Sequence, residues 1–366
     1  MKILPASLLA LIASAALPIS SLAELPVAVP VDNPLLLFSG RRDDAKAGEV
    51  RLGYSGARVR IAFEGPALGL RIDSAKPNWV EVFIDGKRTE KFKVEGNEGY
   101  YELASGLGKG VHTSEIVKTT EGTMGMLNFK GFALPEGGKV VPWPAKETKK
   151  IEFIGDSITC GYGIEAESAQ IHFSPQTENF CDTYAWLAAR ALNADYLVVA
   201  RSGIGIVRNY NGPYEGSADN MPSIYDRTLI QDSASKWNPS RFAPDVVCIN
   251  LGTNDFSTKG VDTAKFTDSY LSFGKMLMAR YPAAKVVLLT GPMQNSQQVK
   301  DLLAGVAETL NKEKPGTVSF CELSKQGALG FGADFHPNKE QAKINGAELA
   351  KYLSGLMGWP LENTAG

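Results

Sequence analysis

Four short polar clusters in the second half of the chain hold the residue types that acyl transfer needs. They are Gly155-Asp156-Ser157-Ile158-Thr159, Arg201-Ser202-Gly203-Ile204-Gly205, Gly252-Thr253-Asn254-Asp255-Phe256 and Asp334-Phe335-His336-Pro337-Asn338. Ser157 follows a short apolar run, with a glycine two residues before it, which is the setting of a nucleophile just past a buried strand. A serine hydroxyl attacks only when a base takes its proton, and for Ser157 taken alone the plainer role is to N-cap the helix that follows. Thr159 fills the last place of what would otherwise read Gly-x-Ser-x-Gly, which argues against an α/β-hydrolase elbow. Asn254 offers either a side-chain N–H donor or a turn residue. Gly203 can present its backbone N–H to an oxyanion because no side chain blocks close approach.

The base must come from a short list, since the chain has 3 histidines. His112 sits in an alternating strand, Val111 to Lys118, and reads as structural. His172 lies in the loop from Ile164 to Phe180 and reads as a surface residue. His336 closely follows a carboxylate, Asp334, and precedes a proline and a helix start, so it is the candidate base.

The elements that carry these groups follow from periodicity. Five apolar runs of the buried parallel type recur at Ile151 to Ile154, Tyr196 to Ala200, Val246 to Leu251, Val286 to Thr290 and Val318 to Leu323. Helical patterns lie between them, over Thr183 to Leu192, Phe266 to Tyr281 and Val299 to Leu310, and a last one begins after Asn338. Alternating strands and helices predict a three-layer α/β/α fold around a doubly wound parallel five-stranded sheet. Ligands bind such a sheet beyond the carboxyl ends of its strands, which is where the four clusters fall. Residues from about 35 to 140 alternate with a period of two instead, as in Val59, Ile61 and Phe63 against Arg58, Arg60 and Ala62. That pattern, with a hairpin turn at Asp85-Gly86, predicts an antiparallel β-sandwich of jelly-roll type. The expected organisation is a signal peptide at 1–23, a β-sandwich at 24–141, a proline-punctuated linker at 142–149 and a catalytic domain at 150–366.

Composition removes several classes of function. The chain has 366 residues, 44% hydrophobic and 21% charged, with a net charge of −2. It is too apolar to be disordered and lacks the basic excess of a nucleic-acid binder. Lys2, the apolar run Leu8 to Ala16 and Ser21-Leu22-Ala23 before Glu24 read as an export signal cleaved after Ala23. No other stretch is long and apolar enough to span a bilayer. The four cysteines match no zinc spacing and form no C-x-x-C. Cys248 and Cys321 lie in apolar runs and read as buried thiols. Cys160 and Cys181 are either a disulfide or two free thiols.

Taken together, Ser157, Gly203, Asn254 and His336 in this order resemble the GDSL-like, or SGNH, hydrolase superfamily. The segment Ile154-Gly155-Asp156-Ser157-Ile158-Thr159-Cys160-Gly161-Tyr162-Gly163, a β-sandwich ahead of it, and Met221-Pro222-Ser223-Ile224-Tyr225-Asp226-Arg227-Thr228 are similar to carbohydrate esterase family two. The resemblance implies an esterase of acetyl xylan esterase type that removes O-acetyl groups from plant cell-wall polysaccharides such as xylan and glucomannan, with preference for primary 6-hydroxyls. It implies Ser157 as nucleophile, His336 as base, and an oxyanion hole from the Ser157 and Gly203 N–H groups and the Asn254 side chain. No metal or cofactor is implied, and nothing in the sequence demands more than a monomer. The chain departs from the superfamily's Asp-x-x-His, because position 333 is Ala333. Asp334, two residues before His336, is the expected orienter of the imidazole, with a backbone carbonyl as the alternative. Two rival readings are an esterase, lipase or thioesterase acting on non-carbohydrate esters, and a non-catalytic polysaccharide-binding protein in which Trp79 or Trp143 stacks on sugars.

Overall fold

A computed structural model describes residues 24–96, 99–144 and 147–362. The export signal read at 1–23 lies outside the described residues. The first half is an antiparallel sheet curled on itself. Its spine is the strand Leu68–Ile84, 17 residues long, whose first half pairs with Leu127–Leu134 and whose second half pairs with Val111–Lys118. The sandwich thus has one continuous strand running through both of its layers. Asp85 and Gly86 both have positive φ, the backbone of a tight hairpin turn, and Ile84 pairs with Lys87 across it. Val59, Ile61, Phe63, Val80, Val82, Phe129 and Phe132 fill the space between the layers.

Alternation in this half has a second meaning that differs from a solvated face. The residues that alternate with the core, Arg58, Arg60, Glu81 and Lys118, are themselves buried, because the second half of the chain covers that face. Arg58 meets Glu115 at 2.7 Å, and Glu147 and Asp195 each at 3.0 Å. Trp79 and Trp143 are half-buried, with Lys91 and Arg60 lying over their rings.

The second half is the expected parallel sheet. Its strands are Lys149–Gly155, Ala194–Ala200, Val246–Asn250, Lys285–Thr290 and Val318–Glu322, in spatial order second, first, third, fourth, fifth. The chain reverses direction across the sheet at the first strand, which makes the carboxyl ends of the first and neighbouring strands the natural ligand crevice. Tyr184–Ala191 and Lys339–Met357 pack on one face through Tyr184, Ala188, Leu349 and Leu353. Thr263–Arg280 and Gln297–Glu313 pack on the other through Phe266, Phe273, Leu303 and Leu310. Asp262, Ser296 and Asn338 cap three of these helices by accepting first-turn N–H groups. One charge interrupts the apolar run Ile151 to Ile154 of the first strand: Glu152 is fully buried, accepting from Tyr225 Oη at 2.9 Å and facing Arg41 at 3.4 Å. Arg41, from the sandwich, also donates to the backbone carbonyls of Tyr225 and Arg227. The segment Met221 to Thr228 is therefore a clasp between the halves.

All four cysteines are buried and unbridged. Of the two states open to Cys160 and Cys181, the structure has the free thiols. Among the described residues, no helix is long and apolar enough to cross a membrane.

Candidate active site

Ser157 opens a four-residue helix directly after the first parallel strand. The turn is so tight that a Cβ on Gly155 would come within 2.1 Å of Thr159 Oγ1, so only glycine serves there. Asp156, not Ser157, is the N-cap: its Oδ1 accepts from Ile158 N at 3.0 Å. The Ser157 hydroxyl is thereby released from capping, and it lies 2.9 Å from His336 Nε2. Gly163 lets the histidine segment approach this turn, because a Cβ there would lie 2.2 Å from Ala333 Cβ. Ala333 N donates to Gly163 O at 3.0 Å and closes the contact.

The Asp334 carboxylate does not orient His336, which corrects the sequence-based expectation. His336 Nδ1 faces the Ala333 carbonyl at 3.2 Å. A carbonyl only accepts, so Nδ1 carries the ring proton and Nε2 is left to accept from Ser157. The physical reason is the backbone: Asp334 and Phe335 both adopt left-handed φ, +47° and +63°. That conformation swings the Asp334 side chain away to Tyr162 Oη at 2.9 Å, His172 Nδ1 at 2.7 Å and Phe173 N at 2.9 Å. A bulky residue such as Phe335 rarely adopts a left-handed backbone, and such strain gathers at functional sites. His172 is exposed as expected, but it has a partner in Asp334. His112 is held by Asp85 Oδ2 at 2.8 Å and Gly108 O at 3.0 Å, within the sandwich and far along the chain from the site.

Burial lowers the His336 pKa to about 4, against the opposing pull of the Ala333 and Asp334 carbonyls and the Asp334 charge. Tyr162 stacks on the imidazole at 4.2 Å between centroids, and Phe173 stacks on the far face of Tyr162 at 4.3 Å. Burial, with Asp255 nearby, raises the Asp156 pKa to about 7.

Gly203 has φ +76° and lies just past the second parallel strand. Its N–H and that of Ser157 have no protein acceptor among the described residues. Asn254 is buried, and its Nδ2 donates to Ile204 O at 2.8 Å while a second, longer contact of 3.4 Å reaches Asp156 Oδ2. The structure thus gathers Ser157, Gly203, Asn254 and His336 at one end of the sheet, with Asn254 engaged by its neighbours.

Two contributors escaped sequence reasoning. Asp255 is fully buried and accepts from Ile206, Val207 and Arg208 N–H groups at 3.0, 2.8 and 2.9 Å, clamping the loop after Gly203. A carboxylate directly after Asn254 at a strand end was the available signal. Tyr162 had none beyond its nearness to Ser157.

Residues 38–144 match the model of the carbohydrate esterase 2 N-terminal family, and residues 153–344 match the GDSL-like lipase/acylhydrolase family. The cellulase/esterase CelE of Acetivibrio thermocellus is 34% identical over 90% of this chain, which spans 40% of that protein's length. An acetylxylan esterase/glucomannan deacetylase of Cellvibrio japonicus is 28% identical over 90% of this chain and 91% of its own. A solved family two carbohydrate esterase from Clostridium thermocellum, in complex with cellohexaose, is 34% identical. It superposes with a TM-score of 0.84 over 88% of this chain and 99% of that one. With both halves matched in order and the fold shared along nearly the whole length, the chain belongs to carbohydrate esterase family two.

Proposed function

We propose that this protein is a serine esterase that removes O-acetyl groups from plant cell-wall polysaccharides through an acyl-enzyme. The observation that carries the reading is the 2.9 Å contact between Ser157 Oγ and the Nε2 lone pair of His336, beside two unengaged backbone N–H groups. In the proposed reaction Ser157 attacks the acetyl carbonyl while His336 takes its proton and passes it to the departing sugar alkoxide. The Ala333 carbonyl steadies the imidazolium. The Ser157 and Gly203 N–H groups receive the oxyanion, and Asn254 joins them by exchanging its long Asp156 contact for the developing charge. Loss of one such donor raises the barrier by about 3 kcal/mol. Water then repeats the sequence and releases acetate.

The size of the acyl group is read from the recess beside Ser157. It is narrow and lined by Ile158, Tyr162, Pro292 and Pro337, which suits one small group rather than a fatty chain. Two exposed aromatics border the site. Phe335 is 57% and Tyr210 56% exposed; one adjoins His336, and the other donates its N–H to Gly203 O at 2.8 Å. Rings so placed offer stacking faces to a sugar, and the Cellvibrio relative named for acetylxylan and glucomannan supports a polysaccharide as the carrier. Preference for 6-O-acetyl groups, and export with cleavage after Ala23, belong to the same proposal. N-terminal sequencing of the mature protein is expected to begin at Glu24.

The test is acetate release from acetylated glucomannan and xylan, set against 4-nitrophenyl esters of rising chain length. Acetyl esters should be preferred, and Ser157→Ala should lower turnover at least about 10⁴-fold. Absence of Ser157-dependent hydrolysis of any ester would sink the esterase reading, and fast cleavage of long-chain esters would replace the acetyl reading.

A further inference from the structure

The carboxyl group of Glu121 belongs to the β-sandwich but ends inside the hydrolase half. Glu121 lies between the strands Val111–Lys118 and Leu127–Leu134, at the start of the single turn Gly122–Met124, and its side chain does not cap that turn. It is 3% exposed. Its Oε2 accepts from Ser202 N at 2.6 Å and from Cys160 Sγ at 3.4 Å, while Oε1 accepts from the Thr123 hydroxyl. These partners are not arbitrary. Ser202 immediately precedes Gly203, so the peptide gripped by Glu121 is the one before the oxyanion donor. Cys160 stands three residues after Ser157, in the same short helix. One carboxyl group therefore ties together the two segments that carry the free N–H groups of Ser157 and Gly203.

The tie has support behind it. Glu121 N donates to Glu178 Oε2 at 2.9 Å. Lys118 Nζ reaches Thr120 O at 2.7 Å and Glu121 O at 3.2 Å, fixing the backbone on which the carboxyl group stands. Burial, together with the Glu121 and Glu178 charges, pushes the Cys160 thiol well up, so it remains an S–H donor. The Ser202–Gly203 stretch needs such a hold. A glycine is the most freely rotating residue in any loop, and this one is otherwise anchored by Tyr210 N on its carbonyl at 2.8 Å.

We propose that Glu121 is a positioning residue for the oxyanion hole, so that the β-sandwich takes part in catalysis by setting the Ser202–Gly203 peptide against the Ser157 helix. The proposal rests on the esterase reading above. An oxyanion donor acts on the transition state far more than on the bound ester, so losing its alignment should lower kcat and leave KM nearly unchanged. A donor displaced by a fraction of an ångström to one ångström should lower kcat roughly tenfold to a hundredfold.

The experiment compares the full-length protein with Glu121→Ala, Glu121→Asp and Glu121→Gln on 4-nitrophenyl acetate, alongside Ser157→Ala and Arg88→Ala. Aspartate keeps the charge but is one methylene too short to reach Ser202. Glutamine keeps the reach and an acceptor oxygen. Arg88 crosses the same boundary to Asp182 Oδ1 at 2.8 Å without touching either oxyanion segment. The expected result is a kcat lowered roughly 10–100-fold in the alanine and aspartate variants with KM within about twofold, near-complete recovery with glutamine, and a lowered Tm but unchanged kcat in Arg88→Ala. Should Glu121→Ala fail to fold, the contrast between aspartate and glutamine decides. Folded Glu121→Asp with wild-type kcat overturns the proposal, as does an Arg88→Ala loss of kcat matching that of the Glu121 variants. A wild-type protein inactive on every ester would instead overturn the esterase reading and this proposal with it.

Discussion

Burial keeps the His336 imidazole neutral far into the acid range, which sets the pH at which the site works. Its pKa is lowered from 6.5 to about 4, and the neutral ring is the form that the proposed reaction needs to take the Ser157 proton. Raising the pH through about 4 therefore restores the base. The kcat/KM profile for acetate release should climb about tenfold per unit below that value and be level from about pH 5. An acid limb centred near 6.5 would show that burial does not govern the ring. A second expectation concerns Asp334. A carboxylate that fixes the tautomer of a catalytic histidine is worth about 10⁴-fold in kcat, yet here the Ala333 carbonyl faces Nδ1. Asp334→Asn should therefore lower kcat less than about tenfold, through Tyr162 and Phe173. Ser157, Asn254 and His336 were legible because each places a polar side chain, and Gly203 an unshielded backbone N–H, in a loop beyond an apolar strand where packing does not require it. The turning away of Asp334 was not, because a left-handed backbone at Asp334 and Phe335 leaves no mark in residue type.

At the scale of elements, the loop after Gly203 is clamped from outside by Asp255, which accepts three of its backbone N–H groups. Each buried donor left unpaired costs about 1–3 kcal/mol. Asp255→Ala should destabilise the protein by about 3 kcal/mol or more in urea unfolding and lower kcat as the Gly203 segment loosens. Unchanged stability would mean that water replaces the carboxylate. The parallel strands and their helices could be read from the chain because strands buried on both faces are continuously apolar. Glu152 breaks that rule, and its partners Arg41 and Tyr225 lie 111 and 73 residues away, beyond the reach of any local pattern. The alternating strand Arg58–Glu64 left one matter open. Period two reports two unlike faces; it does not tell whether the polar face meets water or another domain.

At the scale of the molecule, the halves are joined by buried charge rather than by a tether alone. Arg41 and Arg58 are both buried, and each serves acceptors from the other half. Removing one member of a buried ion pair typically costs 3–5 kcal/mol because the partner charge is left uncompensated. Arg58→Ala should therefore lower stability by about that amount. Calorimetry of the wild-type protein should give one cooperative transition for both halves, and two separated transitions would show that they fold independently. The buried, unbridged thiols have a consequence of a different kind. Each sits in a distinct part of the framework: Cys160 in the catalytic turn, Cys181 before the helix Tyr184–Ala191, Cys248 in the central strand and Cys321 in the edge strand. No bridge between them contributes to holding the fold together. The same thiols are four clocks set into the native state, since a thiol reagent can reach each one only when its own surroundings open. Cys321, at the sheet edge, should be modified first and Cys248 last, giving the order in which the molecule breathes.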